Sequence, residues 1–202
     1  GFNPKITIQI TAGKAQITNH ETQETTTETT NDPLQTIEKL LKKDAVQHSQ
    51  FRFVGGAVGY ISYDAVRYWE KLPEESPTDQ DFPDLEMGIF DDGFIFNHIA
   101  KQAFYYYRQE NRLSEVKELL KHPSDSESLW HTQPKMNTKK EQYEKAVEKA
   151  KAYVTAGDIF QVVLSKRYQF KLKGSLIPFY QSLRTINPSP YMYYIKAGER
   201  QI

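Results

Sequence analysis

Two residues suited to ligand binding stand in a proline-stiffened segment, residues 187–194, which reads Asn-Pro-Ser-Pro-Tyr-Met-Tyr-Tyr. Pro188 and Pro190 fix φ at about −65° and favour extended backbone at the residues that precede them. Met192 is polarizable and Tyr191 joins a flat apolar ring to a hydroxyl, so both suit an aromatic ligand. Backbone carbonyls beside a proline are placed to accept from an ammonium group. From these residues alone, the segment predicts either a preorganised ligand site or a stiff entry into a core strand.

A second segment, residues 157–165, reads Gly-Asp-Ile-Phe-Gln-Val-Val-Leu-Ser. The glycine predicts the C-terminus of a helix, and the apolar run predicts a long buried strand over residues 160–170. Gln161 and Ser165 are polar positions in that run and indicate a lined cavity or a buried hydrogen bond. We interpret the segment as mainly structural.

A third segment, residues 55–64, reads Gly-Gly-Ala-Val-Gly-Tyr-Ile-Ser-Tyr-Asp. It lacks the Lys-Ser/Thr of a phosphate-binding loop and does not form Gly-x-Gly-x-x-Gly, so a nucleotide site is not indicated. Glycines inside a strand pattern mark a bulge or a close approach of backbones. We expect the packing of the neighbouring aromatic rings to require these small residues.

Together, the three segments resemble the large subunit of anthranilate synthase (component I), a family of chorismate-utilising lyases. The resemblance runs from about residue 53 to the C-terminal end. It implies that chorismate and ammonia are converted to anthranilate and pyruvate in tryptophan biosynthesis, with feedback inhibition by L-tryptophan. It also implies Mg²⁺ as cofactor and a glutamine amidotransferase subunit (component II) as partner in a hetero-oligomer.

The resemblance assigns binding roles to one segment only. The matching Pro-Tyr-Met of the family forms part of its tryptophan pocket, which implies Pro190, Tyr191 and Met192 here, with Asn187 as a weaker lining residue. The family's metal-binding glutamates, catalytic histidine and substrate-binding arginine correspond to sequence after Ile202. The chain is therefore expected to be an internal fragment with no catalytic and no metal-binding residue of its own, inactive by itself.

Two alternatives stay open at this point. The first is component I of aminodeoxychorismate synthase, of the folate pathway, although Ser189 and Met192 favour anthranilate synthase. The second is a non-catalytic effector-binding module that shares the architecture. A glutamate-rich metal site and a Gly-Thr-rich substrate loop in the sequence that follows would establish the enzyme.

Composition excludes several other classes of protein. The 202 residues carry 26 basic and 26 acidic side chains, so the electrostatic attraction that nucleic-acid and membrane binders use is missing. The chain has no cysteine, which excludes a disulfide scaffold, a thiolate zinc site and a cysteine nucleophile. The five histidines lack metal-ligand spacing. No apolar run reaches the length of a membrane span and no signal peptide is visible, so we expect a cytoplasmic protein with neither nucleic acid nor membrane as partner.

The pattern predicts an α+β fold of antiparallel sheets flanked by helices, incomplete in this chain. Asp91-Asp92-Gly93 between two apolar runs predicts a β-hairpin, and residues 103–107 a third strand. Further predictions are a helix that follows Asp32-Pro33, one from Thr138 to Gly157, and a strand over residues 190–196. We expect residues 1–122 to be part of the N-terminal anthranilate synthase component I domain, 123–137 a linker, and 138–202 the truncated start of the chorismate-binding domain.

Overall fold

The computed structural model describes residues 1–41, 48–73, 82–122 and 128–202. These residues divide into two units, Gly1–Pro123 with Ile195–Gln201, and Ser124–Tyr194 with Ile202. Both contain antiparallel strands and helices, and the α+β fold class is confirmed. The domain division at 123–137 stays a prediction, and residues 123–127 of that linker lie outside the described residues.

A five-stranded antiparallel sheet is the centre of the first unit. Its spatial order is β3-β2-β1-β5-β4. The strands are β1 (Ile6–Thr11), β2 (Lys14–Asn19), β3 (Glu24–Thr29), β4 (Gly56–Ile61) and β5 (Leu85–Phe90). Alternation in β1 sends Ile8 and Ile10 to one face, where both are fully buried. β3 is an edge strand in which every residue is exposed.

Helix α1 (Pro33–Leu41) covers the apolar face of this sheet. It begins as its sequence predicts, since the Asp32 carboxylate accepts a hydrogen bond at 3.0 Å from the backbone N–H of Leu34. Its buried face carries Ile37, which packs in one cluster with Ile8, Ile10 and Leu85. The core of the first unit therefore lies between α1 and the sheet.

The glycines of residues 55–64 are needed by the backbone of β4. A Cβ on Gly59 would lie only 2.0 Å from the carbonyl oxygen of Glu86 on β5, so no larger residue fits between the two strands. Gly55 has φ of +102° and a Cβ there would meet the Phe90 carbonyl oxygen at 2.7 Å. The close approach of backbones is thus confirmed. The Tyr106 and Phe53 rings lie 3.6 and 3.7 Å from a Cβ at Gly55 and Gly56, which is ordinary van der Waals contact, so the backbone contacts are the tighter constraint. A 3₁₀ helix, Tyr63–Tyr68, follows β4.

The hairpin predicted at Asp91-Asp92-Gly93 does not form. β5 ends at Phe90 and β6 (Asp92–Asn97) belongs to a separate two-stranded sheet with β7 (Gln102–Tyr107). The third strand is confirmed as β7. Asp92 is therefore the first residue of a strand, not part of a reversal between paired strands. Helix α2 (Leu113–Lys121) follows β7.

The described residues of the second unit, from 128 on, form two helices and four very short strands. The helices are α3 (Lys140–Ala156) and α4 (Ile177–Ile186), and the strands are β8 (Trp130–His131), β9 (Lys135–Met136), β10 (Tyr168–Gln169) and β11 (Leu172–Lys173). α3 starts one residue later than the predicted Thr138 cap, with Gln142 accepting from the N–H of Lys139 at 3.0 Å. It ends at Gly157 as predicted, with φ of +82°.

Two predicted strands are largely wrong. Within residues 160–170 only β10 is a strand, and Phe160 is 95% exposed. Within 190–196 only the last residue lies in a strand, namely β12 (Lys196–Ala197), which pairs with β13 (Arg200–Gln201). None of the described residues between 128 and 194 is fully buried. Both segments carry strand-forming side chains, but each pairs with a neighbouring strand over at most two residues among those described.

Candidate functional site

The turn that the sequence marks for ligand binding directly follows α4. The N–H of Asn187 donates to the carbonyl oxygen of Leu183 at 2.9 Å, so Asn187 closes the helix. Residues 188–190 are exposed, and the Tyr191 side chain is 90% exposed. Met192 is half-buried. The turn thus presents Pro190 and Tyr191 to solvent.

None of the four predicted residues lines the apolar cavity that lies next to the turn in sequence. An apolar cavity of about 440 Å³ lies next to them in sequence and within the same unit. The two residues after Met192, Tyr193 and Tyr194, line it together with α4. The remaining lining side chains come from β8, β11, α4, the residues next to these elements, and the last residue of the chain. They are Leu129, His131, Pro134, Phe170, Leu172, Leu176, Phe179, Tyr180, Leu183 and Ile202. The cavity contains no charged anchor, and the turn residues lie outside its lining.

A buried carboxylate network lies on the face of the five-stranded sheet opposite α1. Glu86 stands in register with Gln9 on β1 and Tyr60 on β4, so the three form one polar row across the sheet. The Glu86 residue is 5% exposed. Its Oε1 accepts from Gln9 Nε2 and Arg200 Nη2, both at 2.7 Å, and its Oε2 accepts from Arg200 Nε at 2.7 Å. Burial and the Glu86 carboxylate raise the pKa of Tyr60 to about 12.

A second buried carboxylate organises the junction of β6, β7 and α2. Asp92 accepts from Arg112 Nη2 at 2.6 Å, from Arg112 Nε at 3.0 Å and from the Tyr105 hydroxyl at 2.7 Å. Burial raises the pKa of Asp92, but the hydrogen bonds from Arg112 and Tyr105 outweigh it, and the net pKa is lowered. The Arg112 guanidinium also lies 4.6 Å from the ring centroid of Phe2. This cluster ties residues near the N-terminus to the β6–β7 sheet.

Sequence reasoning missed both carboxylate networks. Glu86 carries a weak signal, since it interrupts an apolar run at a position that alternation sends away from the core. Its partner Arg200 is 114 residues distant and carries no local signal. Asp92 was assigned to a turn, and that interpretation hid its pairing with Arg112. In both cases the charged partners are brought together only by the tertiary fold.

The described residues contain no group of three or more His, Asp or Glu side chains that could hold a metal ion. Asp92 and Glu86 are each neutralised by an arginine instead. In the same described ranges, no helix is long and apolar enough to cross a bilayer.

A family model described as chorismate binding enzyme matches residues 3–202, which is almost the whole chain. The chain belongs to the chorismate-binding enzyme family. Relatives in this family are similar along the full length of the chain. Anthranilate synthase component 1 of Methanothermobacter marburgensis is 36% identical over 202 residues, which are 100% of this chain and 42% of that protein. The alpha subunit 1 of the chloroplastic anthranilate synthase of Arabidopsis thaliana is 32% identical over 232 residues, covering 98% of this chain and 39% of that protein.

A solved structure supports the fold of this chain. The crystal structure of anthranilate synthase component I from Streptococcus pneumoniae TIGR4 superposes with a TM-score of 0.78 and 23% sequence identity, over 99% of this chain and 47% of that chain. The predicted family resemblance is thereby confirmed. The chain spans less than half the length of the curated relatives that it matches.

Proposed function

We propose that this chain forms part of the large subunit of an anthranilate synthase, which converts chorismate and ammonia to anthranilate and pyruvate and is inhibited by L-tryptophan. The observation that carries the proposal is similarity along the entire chain to proteins named anthranilate synthase. The intact Asn-Pro-Ser-Pro-Tyr-Met segment, residues 187–192, adds support. Because the chain spans under half of those relatives, the activity is proposed for the parent subunit.

The catalytic machinery of the reaction is proposed to lie outside the described residues. Amination of chorismate and loss of pyruvate require groups that move protons and a cation that polarises the substrate. The described residues do not fit a magnesium site, because no cluster of acidic or histidine side chains is available. We assign Mg²⁺ and the catalytic residues to the rest of the parent subunit. Ammonia is supplied by a glutamine amidotransferase subunit, and the hetero-oligomer works in the cytoplasm.

Pro190, Tyr191 and Met192 are proposed to line the tryptophan site, with Asn187 at its edge. Tyr191 offers an exposed aromatic face, and Met192 an adaptable apolar wall for an indole ring. The peptide carbonyls next to Pro188 and Pro190 are candidates to accept hydrogen bonds from the ammonium group of the ligand. The two prolines restrict the backbone before the ligand arrives, which lowers the entropic cost of binding.

The enzyme proposal is tested on the purified parent protein. With chorismate, Mg²⁺ and an ammonium salt it is expected to form anthranilate, followed by its fluorescence, and to release pyruvate. Production of aminodeoxychorismate in place of anthranilate would favour the folate-pathway alternative. Tryptophan binding without any turnover of chorismate would identify an effector-binding module. The chain of residues 1–202, assayed in the same way, is expected to be inactive.

The effector site is tested by Pro190→Ser and Met192→Thr in the parent. Each change misplaces or removes a contact to tryptophan, so its inhibition constant is expected to rise by roughly 5- to 150-fold, the range of allosteric couplings. Turnover without tryptophan is expected to stay normal. Met136→Thr is a matched control, because it makes the same chemical change at an exposed methionine of β9. Unchanged inhibition would remove these residues from the site, and lost turnover would indicate a purely structural turn.

A further inference from the structure

The second unit has no core of its own among the residues described. None of the described residues from 128 to 194 is buried, whereas the first unit encloses Ile8, Ile10 and Leu85 completely. A domain of about 60 residues that folds by itself removes roughly 60% of its unfolded surface from water. Because this burial is the main favourable contribution to folding, the described part of the second unit does not explain its own stability.

One segment of this unit has the composition of an inner strand and lacks a strand partner. Residues 159–165 read Ile-Phe-Gln-Val-Val-Leu-Ser, without a charged side chain. The side chains of Phe160 and Val163 are largely exposed. Within the described part of the chain, no backbone group of residues 159–166 takes part in a backbone hydrogen bond. An uncharged, β-branched segment with an unpaired backbone is suited to receive a neighbouring strand.

The apolar cavity beside α4 is a second uncovered site of the same unit. It measures about 440 Å³, and Phe179 and Leu183 of α4 line it while they remain partly exposed. None of the described residues that line it is a lysine, arginine, aspartate or glutamate. A charged ligand such as chorismate would lose its hydration there without gaining an ionic partner. Apolar side chains are the occupants that suit this lining.

The apolar chain that these sites need is available in the parent subunit. The chain amounts to 42% of the Methanothermobacter relative and 39% of the Arabidopsis relative, so more than half of a subunit of that length lies outside it. A covalently linked segment acts at an effective concentration of about millimolar. A second copy or a separate partner must also overcome the loss of translational and rotational freedom. The parent's own chain is therefore favoured over either of them.

We propose that the rest of the parent subunit covers residues 159–165 and the cavity beside α4, with a strand alongside the segment and apolar side chains inside the cavity. The second unit acquires its core only from this chain, while the first unit folds around a core that residues 1–123 already contain. The proposal rests on the proposed function only in requiring a longer parent, and not on the activity of that parent.

The test compares hydrogen exchange in the full-length parent and in the chain of residues 1–202. Amides of residues 161–165 are expected to exchange at least about 100-fold more slowly in the parent, because pairing inside a core raises the free energy of local opening. Amides of β1 are the internal reference and are expected to be protected alike in both proteins, since their core is complete. A dilution series of the chain of residues 1–202, with its mass followed by light scattering, detects a second copy.

Substitutions in the parent separate covered from uncovered apolar residues. Phe160 and Ile99 are 95% and 98% exposed in the chain, and Ile99 lies in the turn between β6 and β7. Phe160→Ser is expected to speed exchange of residues 161–165 at least about 100-fold, since truncating a buried phenylalanine leaves a cavity. Ile99→Ser, the matched control, is expected to leave this exchange unchanged. Val163→Thr keeps the shape of the side chain and places a hydroxyl among apolar groups, so it gives the same comparison where Phe160→Ser yields no folded parent.

Four results would overturn the proposal. If residues 161–165 exchange freely in the parent, the rest of the subunit does not cover them. Equal protection in a monomeric chain of residues 1–202 would show that these residues cover the segment themselves. Protection that appears only when this chain dimerises would assign the surface to a second copy. Protection of the parent that requires the amidotransferase subunit would assign it to that partner.

Anthranilate formation is measured on the same parent, so that failure of this proposal is distinguished from failure of the proposed function. A parent that makes anthranilate but leaves residues 161–165 unprotected overturns the covering alone. A parent that makes no anthranilate but protects these residues contradicts the enzyme proposal and supports the covering.

Discussion

Replacing Arg112 with methionine tests whether the Asp92 cluster holds the first unit together. The side chain of Asp92 is 4% exposed, and two of its three hydrogen-bond donors belong to Arg112. The substitution leaves the carboxylate buried with only the Tyr105 hydroxyl. Breaking a buried ion pair from one side costs about 3–5 kcal/mol. Because domains of this size are stable by only about 5–15 kcal/mol, the expected loss is a large part of the total.

The measurement is urea-induced unfolding of the chain, followed by far-ultraviolet circular dichroism. We expect the urea concentration at the unfolding midpoint to fall and the slope of the unfolding free energy against urea to stay similar. This combination indicates lost stability without a change in the surface exposed on unfolding. Adding Asp92→Asn to Arg112→Met is expected to restore part of the loss, since the orphaned charge is removed. Lys121→Met is the control, because its partner pair is exposed and worth less than about 1 kcal/mol. A loss for Arg112→Met as small as that of the control would refute the reasoning.

Three other predictions concern single groups of the first unit. The pKa of Asp92 is held below its ordinary 3.8, so the ionised carboxylate stabilises the fold fully above pH 3.8. This contribution is lost as the pH falls through the lowered pKa. Asp92→Asn is therefore expected to make stability depend less on pH below about pH 4. The pKa of Tyr60 is raised from 10.0 to about 12, so its neutral form stabilises the fold below pH 10 and this contribution disappears as the pH rises through 12. Tyr60→Phe is therefore expected to resist alkaline unfolding better than wild type, and equal alkaline midpoints would contradict the burial of this hydroxyl. Gly59→Ala is expected to lower the unfolding free energy by about 1–3 kcal/mol or more in urea melts, because its Cβ would collide with the Glu86 carbonyl oxygen. Gly157→Ala has open space around it and a left-handed φ, and is expected to cost about 1 kcal/mol. Equal losses would show that the two strands move apart enough to admit the Cβ at Gly59.

The sequence predicted correctly those features that depend only on residues close together in the chain. Ile8 and Ile10 alternate with polar residues along β1 and are both fully buried, because side chains of a strand point to its two faces in turn. The Asp32 cap and the left-handed Gly157 likewise depend on neighbours within one helical turn. These features were correct because no distant part of the chain is needed to form them.

The features that were wrong or missed depend on partners far along the chain. Residues 160–170 have side chains that favour a strand, but a strand also needs a neighbour to accept its hydrogen bonds. Asp91-Asp92-Gly93 has the residue types of a hairpin turn, but the two strands that it connects, β5 and β6, belong to different sheets. Glu86 and Arg200 meet across 114 positions, a separation at which no periodicity or spacing carries information.

The candidate site was identified by resemblance more than by physical pattern. Two prolines and an aromatic residue fit a stiff core entry as well as a ligand site, and only the family resemblance chose between them. The structure then places Tyr191 in solvent instead of in a core. The exposure of Tyr191 removes the core-entry interpretation for this residue within the chain, while its role toward tryptophan stays a prediction.

The edge strand β3 has a consequence for how copies of this protein behave at high concentration. An edge strand carries unpaired backbone donors and acceptors that invite another chain to extend the sheet. Every residue of β3 is a threonine or a glutamate, and all are exposed. A second copy approaching this edge would bring Glu24 and Glu28 against like charges and would bury no apolar surface in return. The composition of β3 is therefore expected to disfavour self-association at this border, and replacing its two glutamates with valine is expected to promote fibril formation there.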